Sequence, residues 1–184
     1  MRGFASNFSL LTSHSSQPRL PLFKVGFFVY NSPMEKAPGS LAVLETCLYA
    51  EDLDAAEKFY RDVLGLEFLM REKGRHVFFR CKGSMLLIFN PERTRIDNPD
   101  GDPSEIPRHG AEGEGHIAFS APASELEGWK KRLGEAGVPI ESEVEWPNGN
   151  RSLYFRDPSG NSLEIAVPEL WGLTDHEEPG RGTN

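Results

Sequence analysis

The chain has 184 residues, 38% of them hydrophobic, with 28 acids against 20 bases, a net charge of −8 and a pI near 5.2. That length suffices for one domain or for two small modules sharing a core, and the lack of any Lys/Arg stripe argues against a nucleic-acid partner. No apolar run is long enough to cross a bilayer; the longest, Leu20 to Tyr30, is broken by Pro21 and Lys24.

The first acid is Glu35, and the stretch before it is rich in serine. Residues 1–40 are therefore read as an extension outside the fold, either a disordered or targeting arm or a stretch upstream of a start at Met34. Residues 41–170 are expected to fold, as a module over 41–91, a linker over 92–114 and a second module over 115–170, with a polar tail over 171–184. Cys47 and Cys81 form no CxxC and suggest no disulfide framework, which suits a reducing, cytoplasmic compartment.

Residues 41–50 alternate as a strand, with Glu45, Cys47 and Tyr49 on one face. Asp52 is placed to cap a helix that runs to about Leu64 and stops at Gly65. Strands follow near 66–71, 75–81 and 84–90, the last two joined by a turn at Lys82-Gly83. The Pro/Gly/Asp-rich segment 91–114 is long for a connection inside a compact domain, the usual mark of a loop over a site. His109 within it is read as a surface histidine that could reach the site as a proton carrier, and His76 as an ordinary strand residue.

The second half opens at His116, which shares a face with Ala118 and Ser120. Ser124 and Glu127 have capping-box spacing before a helix carrying Leu126, Trp129, Leu133 and Ala136, which Gly137 ends. Strands near 138–145, 150–156 and 161–167 complete it, with turns at Trp146-Pro147-Asn148-Gly149 and Asp157-Pro158-Ser159-Gly160. Each half thus reads β-α-β-β-β. An offset of 71 residues aligns Glu45 with His116 and one of 77 aligns Leu87 with Glu164, the growth being a few residues of loop, as in a duplicated module.

Glu45, His116 and Glu164 fall at equivalent strand positions among residues that should be core. Carboxylates in such surroundings are costly unless something neutralises them. One divalent cation held by all three removes that cost, and O/N donors suit Mn, Fe, Ni or Zn. Singly, each has an ordinary role: Glu45 paired with Arg80 or Arg151, His116 as a hydrogen-bonding strand residue, Glu164 at a wet edge. Cys47 and Ser120 share the ligand face. Tyr154 and Arg156 lie on the strand beside that of Glu164, where Arg156 could hold an anionic substrate group. The plain alternative is that Cys47, Ser120 and Tyr154 are packing.

Leu44-Glu45-Thr46-Cys47-Leu48-Tyr49 with Phe59-Tyr60-Arg61-Asp62-Val63-Leu64-Gly65-Leu66, then Gly115-His116-Ile117-Ala118-Phe119, then Phe155-Arg156-Asp157-Pro158-Ser159-Gly160-Asn161-Ser162-Leu163-Glu164, resemble the vicinal oxygen chelate superfamily (glyoxalase, bleomycin resistance, extradiol dioxygenase) over residues 41–169. The resemblance implies an α+β fold: two βαβββ modules forming a curled mixed sheet, a cup with helices outside. It implies ligands at Glu45, Leu87, His116 and Glu164, a homodimer, and a metal chelating vicinal oxygens of a small substrate, in lyase, isomerase, thiol-transfer or ring-cleaving dioxygenase chemistry. Catalytic candidates beside the metal are Tyr154, Arg156 and Cys47. Leu87 cannot ligate, which disfavours ordinary glyoxalase I activity. Glu45 replaces a histidine usual in the dioxygenase and thiol-transferase branches. A metal-free small-molecule binder, like the bleomycin-sequestering relatives, is the alternative.

Overall fold

The computed structural model describes residues 39–96 and 106–173. Most of the expected extension, the middle of the linker and nearly all of the tail lie outside the described residues. The chain divides into two units, 1–40 and 41–184. Of the first, only Gly39 and Ser40 are described, and both are exposed.

The first half runs β1 (Glu45–Tyr49), α1 (Leu53–Lys58, continued by a wide turn Phe59–Val63), β2 (Glu67–Glu72), β3 (His76–Cys81), β4 (Ser84–Phe89) and a short α2 (Pro91–Thr94). The second runs β5 (His116–Ser120), α3 (Leu126–Glu135), β6 (Ile140–Glu145), β7 (Arg151–Arg156) and β8 (Ser162–Ala166). Asp52 caps α1 as the sequence suggests, its carboxylate accepting from the N–H groups of Asp54 and Ala55. Gly65 and Gly137 end the helices at φ 71°, a conformation that carries little penalty only without a Cβ.

Three expectations need correction. The first strand begins at Glu45 and not at Leu41, which is fully exposed with nothing to pack against. The Ser124/Glu127 capping box does not form, because Pro122 starts a tight 3₁₀ turn over Ala123–Glu125. That turn puts Ser124 inside the helical run, and α3 has no side-chain cap. The segment after β4 opens with α2, whose first turn Asn90 caps by accepting from Glu92 N–H.

Each half forms a four-stranded mixed sheet, in the orders β1-β4-β3-β2 and β5-β8-β7-β6. The parallel pairs β1·β4 and β5·β8 have a crossover that includes a helix, as parallel pairing requires. Cys47 lies across from Leu87 and Ala118 across from Glu164. Since Cys47 and Ala118 each follow the first strand residue by two, Leu87 and Glu164 occupy one place in the repeat. The inner sheet faces and the helices share a core that includes Leu48, Tyr60, Phe79, Leu133, Phe155 and Leu163.

Among the described residues, polar side chains join the halves at two places besides the shared core. Arg132 on α3 donates to the carbonyls of Val63 and Asp62 at the end of α1. Asn161, 2% exposed, donates to the Tyr49 carbonyl at 3.1 Å and accepts from Gly115 N–H at 2.8 Å. Asp157 holds that asparagine and also accepts from the buried Tyr60 hydroxyl at 2.8 Å. The end of α1 and α3 thus meet through Arg132.

Candidate functional site

On the open face of the second sheet, His116 begins β5, Glu164 sits mid-β8, and Tyr154 on β7 lies directly across from Glu164. His116 Nε2 is 3.5 Å from Glu164 Oε2. His116 Nδ1 lies 3.1 Å from the Ser162 carbonyl, an acceptor that requires a proton on Nδ1. In the neutral ring the lone pair is then on Nε2, the nitrogen that faces the carboxylate and that a cation could take.

Glu164 is 6% exposed, and its Oε1 is buried with no hydrogen-bond partner. A buried oxygen left this way costs about 1–3 kcal/mol, and more when charged. Tyr154 stacks near His116 at 6.3 Å between ring centroids. Burial first, and then the adjacent Glu164 carboxylate, push its phenol up to about 12, so it keeps its proton at neutral pH.

Arg156 is already engaged. Its guanidinium bonds Glu141 at 2.9 Å, Glu114 at 2.7 Å and the Gly160 carbonyl at 2.8 Å. It braces the rim around the turn before β8, and an anionic substrate would have to displace two carboxylates to reach it.

The open face of the first sheet carries Glu45, Cys47 and Tyr49 on β1, Leu87 and Phe89 on β4, and His76 and Phe78 on β3. Glu45 is exposed, and among the described residues nothing pairs with its carboxylate. Arg80 pairs instead with Glu67, and Arg151 with Glu127 and Glu143. Cys47 is exposed, with its thiol 3.8 Å from the Tyr49 hydroxyl. Among the described residues no three His, Cys, Asp or Glu side chains gather closely enough to hold a cation. His116 and Glu164 are together; Glu45 stands apart on its own strand.

Two features escaped the sequence reading. His109 is no free surface residue: it is half-buried, its Nδ1 is 2.9 Å from the Tyr49 hydroxyl, and its ring stands edge-on to Phe89. Only the position of Tyr49 on the ligand face hinted at this. Asn161 had read as the residue after a turn, and is the brace between halves. A cleft of about 590 Å³ opens beside Tyr49, lined also by Asp52, Arg95, Glu112, Glu114 and Pro158. It does not include His116 or Glu164.

The donor set suits a divalent cation as far as it goes: a bare imidazole nitrogen, one carboxylate oxygen beside it, and a second oxygen with no partner. Comparison with known proteins points the same way. The sequence profile of the Glyoxalase/Bleomycin resistance protein/Dioxygenase superfamily matches residues 42–165. A crystal structure of lactoylglutathione lyase from Agrobacterium tumefaciens is 47% identical, with a TM-score of 0.69, covering 74% of this chain and 100% of that one. A metallothiol transferase FosB of Shouchella clausii is 34% identical over 132 residues, 69% of this chain and 80% of the relative. The putative ring-cleaving dioxygenase MhqE of Bacillus subtilis is 28% identical over 147 residues, and there the match spans only 44% of the relative. Among the described residues no helix is long and apolar enough to cross a membrane.

Proposed function

The chain belongs to the Glyoxalase/Bleomycin resistance protein/Dioxygenase superfamily, and we propose that within it this protein is an enzyme that holds one divalent metal through His116, Glu164 and Glu45 and acts on a small substrate with vicinal oxygens. The observation that carries this is the buried, unpartnered Oε1 of Glu164 beside the bare Nε2 of His116. Mn, Fe, Ni and Zn fit the donor set. When bound, the cation would polarise the two substrate oxygens and stabilise negative charge developing on them.

The chain's own groups complete the reading. Tyr154, protonated at neutral pH, is hydrogen-bonded to Glu164 and holds that carboxylate in place. Glu45 reaches a shared centre most simply from a second copy of the chain, with Glu45 of one copy facing His116 and Glu164 of the other. The edges of the first sheet suit such a homodimer: every residue of β2 is exposed, and Val43, Leu44, Phe68, Leu69 and Met70 are large apolar side chains in contact with water. Two acids and one imidazole leave a formally neutral centre, and the cleft beside Tyr49 is rimmed by acids, with Arg95 the one base in its lining among the described residues. An uncharged or weakly anionic substrate suits both. With Leu87 at the fourth position, ordinary glyoxalase I chemistry is not part of the reading.

Elemental analysis of full-length protein purified without chelators tests it. About one metal per chain, lost in both His116→Ala and Glu164→Ala, is the expected result. No metal in the wild type after titration with Mn²⁺, Fe²⁺, Ni²⁺ and Zn²⁺ would overturn it in favour of a metal-free small-molecule binder.

A further inference from the structure

A second cavity, of about 190 Å³, lies where the two halves meet. Leu64 and Leu66 after α1 line it from the first half, and Phe119 on β5, Trp129 on α3 and Ile165 on β8 line it from the second. Phe119 and Ile165 are direct partners across the β5·β8 pair. Side chains alternate along a strand, so these two lie on the face of the second sheet opposite the one that carries His116 and Glu164. The cavity shares no residue with the candidate metal site. Leu64 and Ile165 belong to the core, and Leu66, Phe119 and Trp129 pack against it, so the space is a notch in the core's margin. An apolar cavity of about 150 Å³ already takes up benzene. This one admits a single ring or a short branched chain.

Its mouth carries a cation. Lys82 and Ser120 in the lining are exposed, which places them at the opening to water. Cys81 beside them is half-buried, and burial pushes its thiol up against the opposing bond from Ser84, so it adds no charge at neutral pH. Among the described residues Lys82 is the one charged residue of the lining, and it makes no ion pair. The arginines nearby are engaged. Arg80 pairs with Glu67 at 3.2 Å, and Arg132, 6.0 Å from the Trp129 ring, donates to the carbonyls of Val63 and Asp62. The backbone of Lys82 is also unusual. Among the described residues it is the one non-glycine residue in the left-handed region, with φ 47°. A side chain is disfavoured there, and a turn shaped for closure alone would put the adjacent Gly83 at that position. The turn instead puts an ammonium beside an apolar opening.

We infer that this cavity is a binding site for a small apolar monocarboxylate, its ring or branched chain against Leu66, Phe119 and Trp129 and its carboxylate on the Lys82 ammonium. The volume sets the size of the occupant, the walls set its apolar body, and the unpaired cation at the mouth sets its charged end. The carboxylate stays at the wet opening, so it need not be stripped of water to meet the ammonium. A hydrocarbon would fill the cavity and leave the cation unused, and an amine would be repelled by it. A second carboxylate would find no second base in the lining. Such an occupant touches leucines of the first half and β5, β8 and α3 of the second at once, so it fastens the seam between the halves.

The test follows the Trp129 indole N–H by NMR in full-length, isotopically labelled protein kept in EDTA, with the signal identified by its loss in Trp129→Phe. At about pH 7.5, where carboxylate and ammonium are both charged, benzoate should move that signal saturably at millimolar concentrations and leave the indole signals of Trp146 and Trp171 in place. Lys82→Gln, a change at an exposed turn, should need about tenfold more benzoate and bind toluene as wild type does. His116→Ala should bind benzoate as wild type does, which shows that the probe is not at the candidate metal site. Three results would overturn the proposal: no saturable movement of the Trp129 signal, equal benzoate affinity in wild type and Lys82→Gln, or toluene binding wild type more tightly than benzoate. None of them touches the metal reading, which the elemental analysis decides.

Discussion

The two halves share one frame and place opposite chemistry at the same point in it. Leu87 and Glu164 occupy equivalent positions on the last strand of each sheet, at 8% and 6% exposure. One is a buried leucine, contributing about 1.5–3 kcal/mol by leaving water. The other is a buried carboxylate with an oxygen unmatched, which costs about 1–3 kcal/mol. The first face continues the leucine's character, with Phe78, Phe89 and His76 packed ring to ring. The second surrounds its acid with His116, Tyr154 and small residues such as Ala118 and Ser162. The repeat kept the scaffold and placed the buried carboxylate on one side only, where a ligand can relieve it.

Exchanging the two residues tests this asymmetry most sharply. Leu87→Glu should destabilise the protein by about 3–5 kcal/mol, since it buries a charge with no partner ready. Glu164→Leu should do the reverse once metal is absent. Urea denaturation in EDTA should show it more stable than wild type by about 1–3 kcal/mol, although it binds no metal. If Glu164→Leu is the less stable protein in EDTA, the contacts of the carboxylate with His116 and Tyr154 outweigh its one unmatched oxygen.

A second difference lies in how the halves are stitched. The Asp157–Asn161 turn of the second half reaches into the first, whereas the matching Lys82-Gly83 turn of the first half is a tight two-residue connection. Asn161→Ala would leave the Tyr49 carbonyl and Gly115 N–H unmatched and strip one donor from Asp157. The expected loss is about 1–3 kcal/mol, read as a lower urea midpoint. A midpoint equal to wild type would show that water replaces the amide without penalty and that the halves are joined chiefly by their core.

Much of this was legible in the sequence, because it follows from local rules. Asp52, Gly65, Gly137 and the alternation around Glu45, His116 and Glu164 each act within a few residues, and the repeat carried the register of Leu87 against Glu164. What escaped depends on distant partners. Asn161 bonds Tyr49, 112 positions away, and His109 bonds Tyr49 across 60; no local pattern announces either. Arg156 had looked free because Glu114 and Glu141 are remote in sequence. Ser124 misled for a different reason: its spacing suited a cap, but Pro122 had already begun the turn.

The smallest expected effect separates two imidazoles, one on each open face. His116 is exposed, while His76 is 8% exposed, stacked on Phe78 at 4.1 Å and edge-on to Phe89, with both ring nitrogens unpartnered. Burial holds His76 below the ordinary value of 6.5, with Arg75 adding to the effect and the Glu72 carboxylate 3.7 Å away opposing it. Its folded state therefore binds its proton at lower pH than the unfolded chain does. The contribution of neutral His76 is fully present above pH 6.5 and is lost as pH falls through the folded value. His76→Phe keeps the stacking and removes the titration. The urea midpoint of this variant relative to wild type should shift in the variant's favour between about pH 7.5 and about pH 5.5. A difference that stays constant across that interval would mean that burial leaves the ring's proton affinity unchanged, and one that moves in the wild type's favour would mean the ring is charged in the folded protein and paired with Glu72.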